Sequence, residues 1–222
     1  MPHAIGFDIY GTLVDPLEMN EHLRPLVGED LADRMSELWR AKQVEYTFRR
    51  ALMRRYEDFG LCTKQALVYA SHVLGVELSE EEQEKLIEEY QNLRPFPDVQ
   101  VGLEAMRSKG HTLVAFSNGV EAAARTLLER AGVLPYLEGV ISVDDLRTFK
   151  PDPQVYLYLA GRLQRRPEET WLVSSNPFDV IGAKAAGLRA AWIQRTSDAQ
   201  FDPWDIEPDL VAPDLEALAG EL

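Results

Sequence analysis

Short apolar runs, each leading into polar or small residues, recur along the chain and predict buried strands. They are Ala4-Ile5-Gly6-Phe7 into Asp8, Leu113-Val114-Ala115-Phe116 into Ser117-Asn118-Gly119, Gly139-Val140-Ile141 ahead of Lys150-Pro151, and Trp171-Leu172-Val173 into Ser174-Ser175-Asn176. Between about residues 16 and 95 the pattern is helical instead. Apolar side chains at mixed three and four spacing over residues 31–56, with Trp39, Val44, Tyr46, Phe48, Leu52 and Met53 set among Arg and Glu, predict an amphipathic helix. Residues 65–74 and 79–93 continue the pattern, the second stretch opening with Ser79 and Glu82 in capping-box spacing. Pro95-Phe96-Pro97 breaks the block. Beyond it, helices near 99–108, 120–131, 153–163 and 179–186 alternate with strands at 112–116, 140–143, 171–173 and 190–193. The Asp- and Pro-rich stretch 198–213 reads as a loop with one short edge strand near Leu210-Val211, before a last helix from Asp214.

Alternation of this kind means a parallel sheet with helices on both faces. The expected fold class is therefore α/β: a doubly wound, Rossmann-like parallel sheet core formed by residues 1–15 and 97–222, with a helical cap domain, residues 16–96, inserted after the first strand and lying over the strand ends. A chain of 222 residues buries such a core without staples.

Charge and cysteine content narrow the partners. With 37 acidic against 23 basic residues the net charge is -14, which argues against nucleic acid, whose phosphates are held by clustered Lys and Arg. A small anion stays admissible, because repulsion is screened over about 8 Å at physiological salt, but its site needs local cations. Cys62 is the only cysteine, so neither an intrachain disulfide nor a cysteine metal cluster is available, and His3, His22, His72 and His111 lack metal-ligand spacing. Neither a basic-then-apolar leader nor a run of membrane-spanning length is present, so the expectation is a cytoplasmic protein with no membrane partner.

The candidate chemistry sits where the apolar runs end. Asp8 opens Asp8-Ile9-Tyr10-Gly11-Thr12, so the first strand delivers a carboxylate into a tight Gly turn. Reactive groups at the carboxyl ends of parallel strands mark the ligand crevice of an open α/β sheet. Taken singly, Asp8 fits a turn residue, Lys150 a solvated loop cation, Ser174-Ser175-Asn176 a helix start and Arg40 one charge on an amphipathic face. Their order along the chain gives them more weight.

In that order, Asp8, Ser117, Lys150 ahead of a Pro, and Asp179 resemble the four motifs of the haloacid dehalogenase superfamily, over essentially the whole chain. The chain departs from that superfamily's phosphatases at two places. Tyr10 stands where they carry a second Asp, and Asn176 where a magnesium-binding acid is expected. An alkoxide leaving group needs a general acid and a transferring phosphoryl group needs a metal, whereas a halide leaves as a free anion. The nearer resemblance is to the L-2-haloacid dehalogenases, through Asp8-Ile9-Tyr10-Gly11-Thr12, the cap segment Leu38-Trp39-Arg40-Ala41-Lys42-Gln43-Val44-Glu45-Tyr46, Lys150-Pro151 followed by Val155-Tyr156, and Ser174-Ser175-Asn176-Pro177-Phe178-Asp179.

This resemblance implies metal-independent hydrolysis of (S)-2-haloacids to (R)-2-hydroxyacids, without cofactor, through an ester on Asp8. It assigns Lys150 to keep Asp8 ionised, Arg40 to receive the halide, and Asn118 and Phe178 to line the same pocket. Ser117 and backbone N–H groups of the turn from Asp8 to Gly11 hold the substrate carboxylate. Thr12, Ser174 and Tyr156 fix the Asp8–Lys150 network, and Asn176 and Asp179 position or deprotonate the hydrolytic water. Tyr10, Ala41, Val44 and Phe59 complete the substrate pocket. For Phe59 and Phe178 ordinary core packing is the competing reading, and Ala41, where Gln is expected, leaves open a wider pocket or altered hydrogen bonding. The expected assembly is a homodimer. A magnesium-dependent phosphatase acting on a small phosphorylated metabolite and a non-catalytic binding protein on the same scaffold remain alternatives.

Overall fold

The computed structural model describes residues 2–222. Six parallel strands, β1 (Ala4–Phe7), β2 (Thr112–Ser117), β3 (Gly139–Ser142), β4 (Thr170–Ser174), β5 (Arg189–Ile193) and β6 (Leu210–Ala212), form one sheet in the order β3-β2-β1-β4-β5-β6. The order reverses at β1, which pairs with β2 on one side and β4 on the other. Asp8 thus lies at the topological switch point, where open α/β sheets bind their ligands.

Alternate side chains of the strands enter two apolar cores. Ile5, Phe7, Leu113, Ala115, Trp171 and Val173 face Leu103 and Met106 of α5 (Val99–Ser108) and Leu215 and Leu218 of α9 (Leu215–Glu221). Val114, Phe116, Leu172 and Ala190 face α7 (Pro153–Arg162) and α8 (Pro177–Ala185) on the other side. On that face β1 presents Gly6, where an added Cβ would come within 2.7 Å of Leu159 Cδ2, so α7 packs directly on the strand that carries Asp8. The remaining core helix, α6 (Glu121–Arg130), follows β2 and buries Ala124, Leu127 and Leu128.

Between β1 and α5 run a short 3-10 turn (Pro16–Glu18) and four α-helices: α1 (Met19–Val27), α2 (Glu29–Leu52), α3 (Phe59–Leu74) and α4 (Glu80–Glu89). Their apolar residues Met35, Trp39, Leu67 and Leu86 join the same cluster as Ile5 and Phe7. The chain crosses to these helices and back through two adjacent strands of backbone, with Asp15 N–H donating to Arg94 O at 3.3 Å and Phe96 N–H to Leu13 O at 3.1 Å.

Several element limits differ from the sequence pattern. A separate helix, α1, precedes the long one; Pro25 inside it and Gly28 at its end, with φ 81°, hide it from a periodicity reading. The long helix ends at Leu52 rather than near residue 56, and Arg54 there takes φ 53°. The third helix starts at Phe59, six residues before the expected start, because Asp58 caps it by accepting from Leu61 N–H at 2.9 Å and Phe59, Cys62 and Thr63 bury one face. The Ser79–Glu82 capping box forms as read.

Candidate active site

Beyond β1 the chain winds one tight turn, in which the N–H groups of Thr12, Leu13 and Val14 all donate to Ile9 O and Gly11 takes φ 90°. A side chain is strained at that φ, and a Cβ there would also lie 3.1 Å from Ser175 Oγ. The turn folds Thr12 back onto Asp8, its hydroxyl donating to Oδ2 at 3.0 Å. The Asp8 and Gly11 N–H groups are engaged by Val173 O and Val14 O, while those of Ile9 and Tyr10 have no protein partner among the described residues.

Asp8 is 8% exposed, Lys150 1% and Asp179 0%. Lys150 Nζ donates to Asp8 Oδ1 at 3.0 Å, to Asp179 Oδ2 at 2.9 Å and to Phe116 O at 2.9 Å, which uses all three ammonium hydrogens. Burial works against the charged amine, yet the Asp179 and Asp8 carboxylates beside it prevail and raise the Lys150 pKa, so it stays an ammonium. Asp179 is raised too, first by burial and further by the negative charge of Asp8, with Lys150 opposing. Its Oδ1 accepts from Tyr156 at 2.8 Å, and burial followed by that carboxylate lifts the phenol well above its ordinary value, so Tyr156 remains a donor.

The other oxygen of Asp8 meets a separate set of donors. Oδ2 accepts from Asn176 Nδ2 at 2.8 Å, from Thr12 at 3.0 Å and from Ser174 at 3.5 Å. Asn176 also donates to Tyr10 O at 3.1 Å. Ser175, absent from the sequence-derived set, fixes this side: its N–H donates to Thr12 Oγ1 at 2.9 Å and its hydroxyl to Gly11 O at 2.6 Å. The donor set does not suit Mg²⁺, a hard cation that takes oxygen ligands, because Asn176 turns its amide N–H to Asp8 and an ammonium lies between the two carboxylates.

Above Asp8 the helices supply the walls. Arg40 on α2 reaches down to donate to Tyr10 O at 3.1 Å. The Tyr10 ring packs on Phe59 at 5.2 Å and on Tyr90 at 5.7 Å between centroids. A Cβ at Gly119 would lie 3.2 Å from Ser117 Oγ and 3.8 Å from both Phe59 Cδ1 and Tyr10 Oη, so Ser117, Phe59 and Tyr10 converge on one spot. Ser117 Oγ accepts from Gly119 N–H at 2.9 Å, leaving its hydrogen for a ligand. Asn118 Oδ1 accepts from Lys150 N–H at 2.9 Å. Phe178 is half-buried against Phe48 of α2 at 5.0 Å, and Val44 is half-buried one helical turn after Arg40. Ala41 is exposed on α2, with no side-chain polar atom to contribute. Cys62 is buried and its thiol pushed up to about 11 by burial, so it is no rival nucleophile.

The pattern is shared with known proteins. The sequence matches the family of haloacid dehalogenase-like hydrolases over residues 2–187. Haloacetate dehalogenase H-2 of Moraxella sp. (strain B) is 38% identical over 218 residues, spanning 97% of this chain and 95% of that protein. (S)-2-haloacid dehalogenase 1 of Pseudomonas sp. (strain CBS-3) is 36% identical over 198 residues, 89% of this chain and 86% of that one. Among solved structures, the L-2-haloacid dehalogenase of Xanthobacter autotrophicus with chloropropionic acid covalently bound superposes with a TM-score of 0.92 at 32% identity, covering 99% of this chain and 98% of that one.

Proposed function

Since the chain belongs to the haloacid dehalogenase-like hydrolases, we propose that it is a hydrolytic (S)-2-haloacid dehalogenase that converts short 2-haloacids to (R)-2-hydroxyacids through an ester on Asp8, without a metal. One observation carries this reading: a buried Lys150 ammonium held between Asp8 and Asp179, with an amide donor, Asn176, where metal-assisted chemistry needs another acid. The names of the relatives, among them haloacetate and (S)-2-haloacid dehalogenases, support the substrate class.

The residues divide the work by oxygen. Asp8 Oδ1, bonded to Lys150 alone, attacks C2 of the haloacid from the side opposite the halogen, so the centre inverts and the halide leaves with the bonding pair. Arg40 meets the departing charge; the Ser117 hydroxyl and the Ile9 and Tyr10 N–H groups hold the carboxylate. Asp8 Oδ2 is then the ester carbonyl. When water attacks Asp8 Cγ, the negative charge develops on Oδ2, where Asn176, Thr12 and Ser174 already donate. Asp179 takes the water proton and returns it to the leaving 2-oxygen. A carboxyl raised by burial is a better base for this step than an ordinary one.

Residues 1–15 and 97–222 form the catalytic core in this reading and residues 16–96 the cap. A cytoplasmic homodimer belongs to the same proposal. Leu52, Met53, Tyr69 and Val73 are exposed apolar side chains on or beside the cap helices, and no helix of the described residues is long and apolar enough to cross a membrane.

The test is halide release from each enantiomer of 2-chloropropionate, with EDTA and with Mg²⁺. The expected result is consumption of the (S) form alone, (R)-lactate as product, and an unchanged rate in EDTA. Turnover of both enantiomers, or Mg²⁺-dependent release of phosphate from small phosphate esters with no halide release, contradicts it.

A further inference from the structure

Gln43 is a fully buried amide in the middle of a stripe of α2 whose other buried members step by four: Met35, Trp39 and Thr47. A buried amide must place both its ends. Its Oε1 accepts from Arg40 Nη1 at 2.7 Å and from the Tyr90 hydroxyl at 3.0 Å. Its Nε2 donates to Thr63 Oγ1 at 2.6 Å, and Thr63 in turn donates to Phe59 O at 2.8 Å on α3. The amide is therefore locked from three elements, with its oxygen aimed at Arg40.

The chemical type of the acceptors matters. Arg40 is held by Gln43 Oε1 and Tyr10 O, both neutral, and forms no ion pair among the described residues. A carboxylate would hold the guanidinium more tightly but would neutralise the charge a departing anion needs. Two N–H bonds of five fix the plane, and the others stay available.

Resting on the dehalogenase reading above, we propose that Gln43, fixed by Tyr90 and Thr63, is the positioning residue that aligns the Arg40 guanidinium for the leaving halide while keeping its charge uncommitted. It acts through Arg40 and touches no reacting atom. Chloride, the poorer leaving group, depends on that alignment more than bromide does.

Two variants test this, Gln43→Leu and Tyr90→Phe; the second removes one hydroxyl and keeps the ring contacts to Tyr10 and Trp39. Thermal melting first checks that each variant folds. Steady-state kinetics on (S)-2-chloro- and (S)-2-bromopropionate and ³⁵Cl NMR line width then read leaving-group dependence and chloride binding. Misplacement by about 1 Å costs on the order of 10²-fold, so Gln43→Leu should lose roughly that much kcat on the chloro acid. Tyr90→Phe should lose roughly 5-fold, the worth of one hydrogen bond. In both, KM changes little, the bromo-to-chloro ratio of kcat/KM widens, and chloride binding weakens. Folded variants with wild-type chloride binding and an unchanged bromo-to-chloro ratio overturn the proposal. If the wild-type protein releases no halide from either acid, the dehalogenase reading fails by itself, and the chloride comparison between wild type and variants still decides whether Gln43 positions Arg40.

Discussion

Lys150 is one buried cation serving two buried carboxylates, and this inequality sets the pH behaviour. Burial and Asp8 hold Asp179 above the ordinary carboxylate value of about 3.9. A base with a raised pKa loses its deprotonated form early as pH falls. Ester hydrolysis therefore slows on the acid side before an ordinary carboxylate would titrate, while alkylation of Asp8 needs no proton transfer. Rapid-quench measurement on the acid limb should show a burst of about one halide per site followed by slow turnover, the mark of an accumulating covalent intermediate. Asp179→Asn should give the same burst and then stall at neutral pH. Linear halide release from time zero in both cases would remove Asp179 from the second step.

The helices behind the sheet hold this network through close approach. A Cβ at Gly182 of α8 would stand 2.5 Å from Tyr156 Oη and 2.7 Å from Pro151 Cβ. Gly182→Ala must therefore push Tyr156 away from Asp179 and shift the segment that carries Lys150. It should cost about 1–3 kcal/mol of stability, as overpacking does, and lower kcat by at least about 10-fold although residue 182 meets no substrate. Chemical denaturation and steady-state kinetics check both, and wild-type values for either would mean that the helix can yield. Gly182 shows what sequence could and could not tell. Strand ends were legible, because Asp8, Ser117 and Ser174 close apolar runs, and so were Lys150 and Asp179 through the family resemblance. Close approaches between distant helices leave no periodic trace. Gln43 was readable in principle as a polar residue in an otherwise buried stripe, but its partners Thr63 and Tyr90 lie on other elements. The start of α3 was hidden by Gly60, a poor helix former next to Phe59.

Across the whole molecule, the amino-terminal ends of β1 and β2, opposite the strand ends that carry Asp8 and Ser117, hold a second titrating feature. His3 and His111 stack at 5.2 Å, and His3 N–H donates to His111 Nδ1 at 2.8 Å. Burial first, and neighbouring positive charge second, hold both imidazoles below their ordinary value. The unfolded chain then binds protons more readily than the folded one. This contribution to stability is complete above about pH 6.5 and is lost as pH falls through the lower folded values. The thermal midpoint should fall between about pH 7 and about pH 5, and His111→Asn, which keeps an acceptor for His3 N–H, should flatten that fall. Equal slopes in wild type and variant would show that the pair is not linked to folding.

The central claim is that Asp8 itself attacks carbon, and a single turnover in H₂¹⁸O with enzyme in excess tests it most directly. If the ester forms and water attacks Asp8 Cγ, the first hydroxy acid takes its new oxygen from Asp8 and emerges unlabelled. The solvent ¹⁸O is then found by mass spectrometry in the peptide that contains Asp8. If Asp8 or Asp179 instead activates water for direct attack on C2, the label appears in the product and the peptide stays light, which would contradict the covalent mechanism.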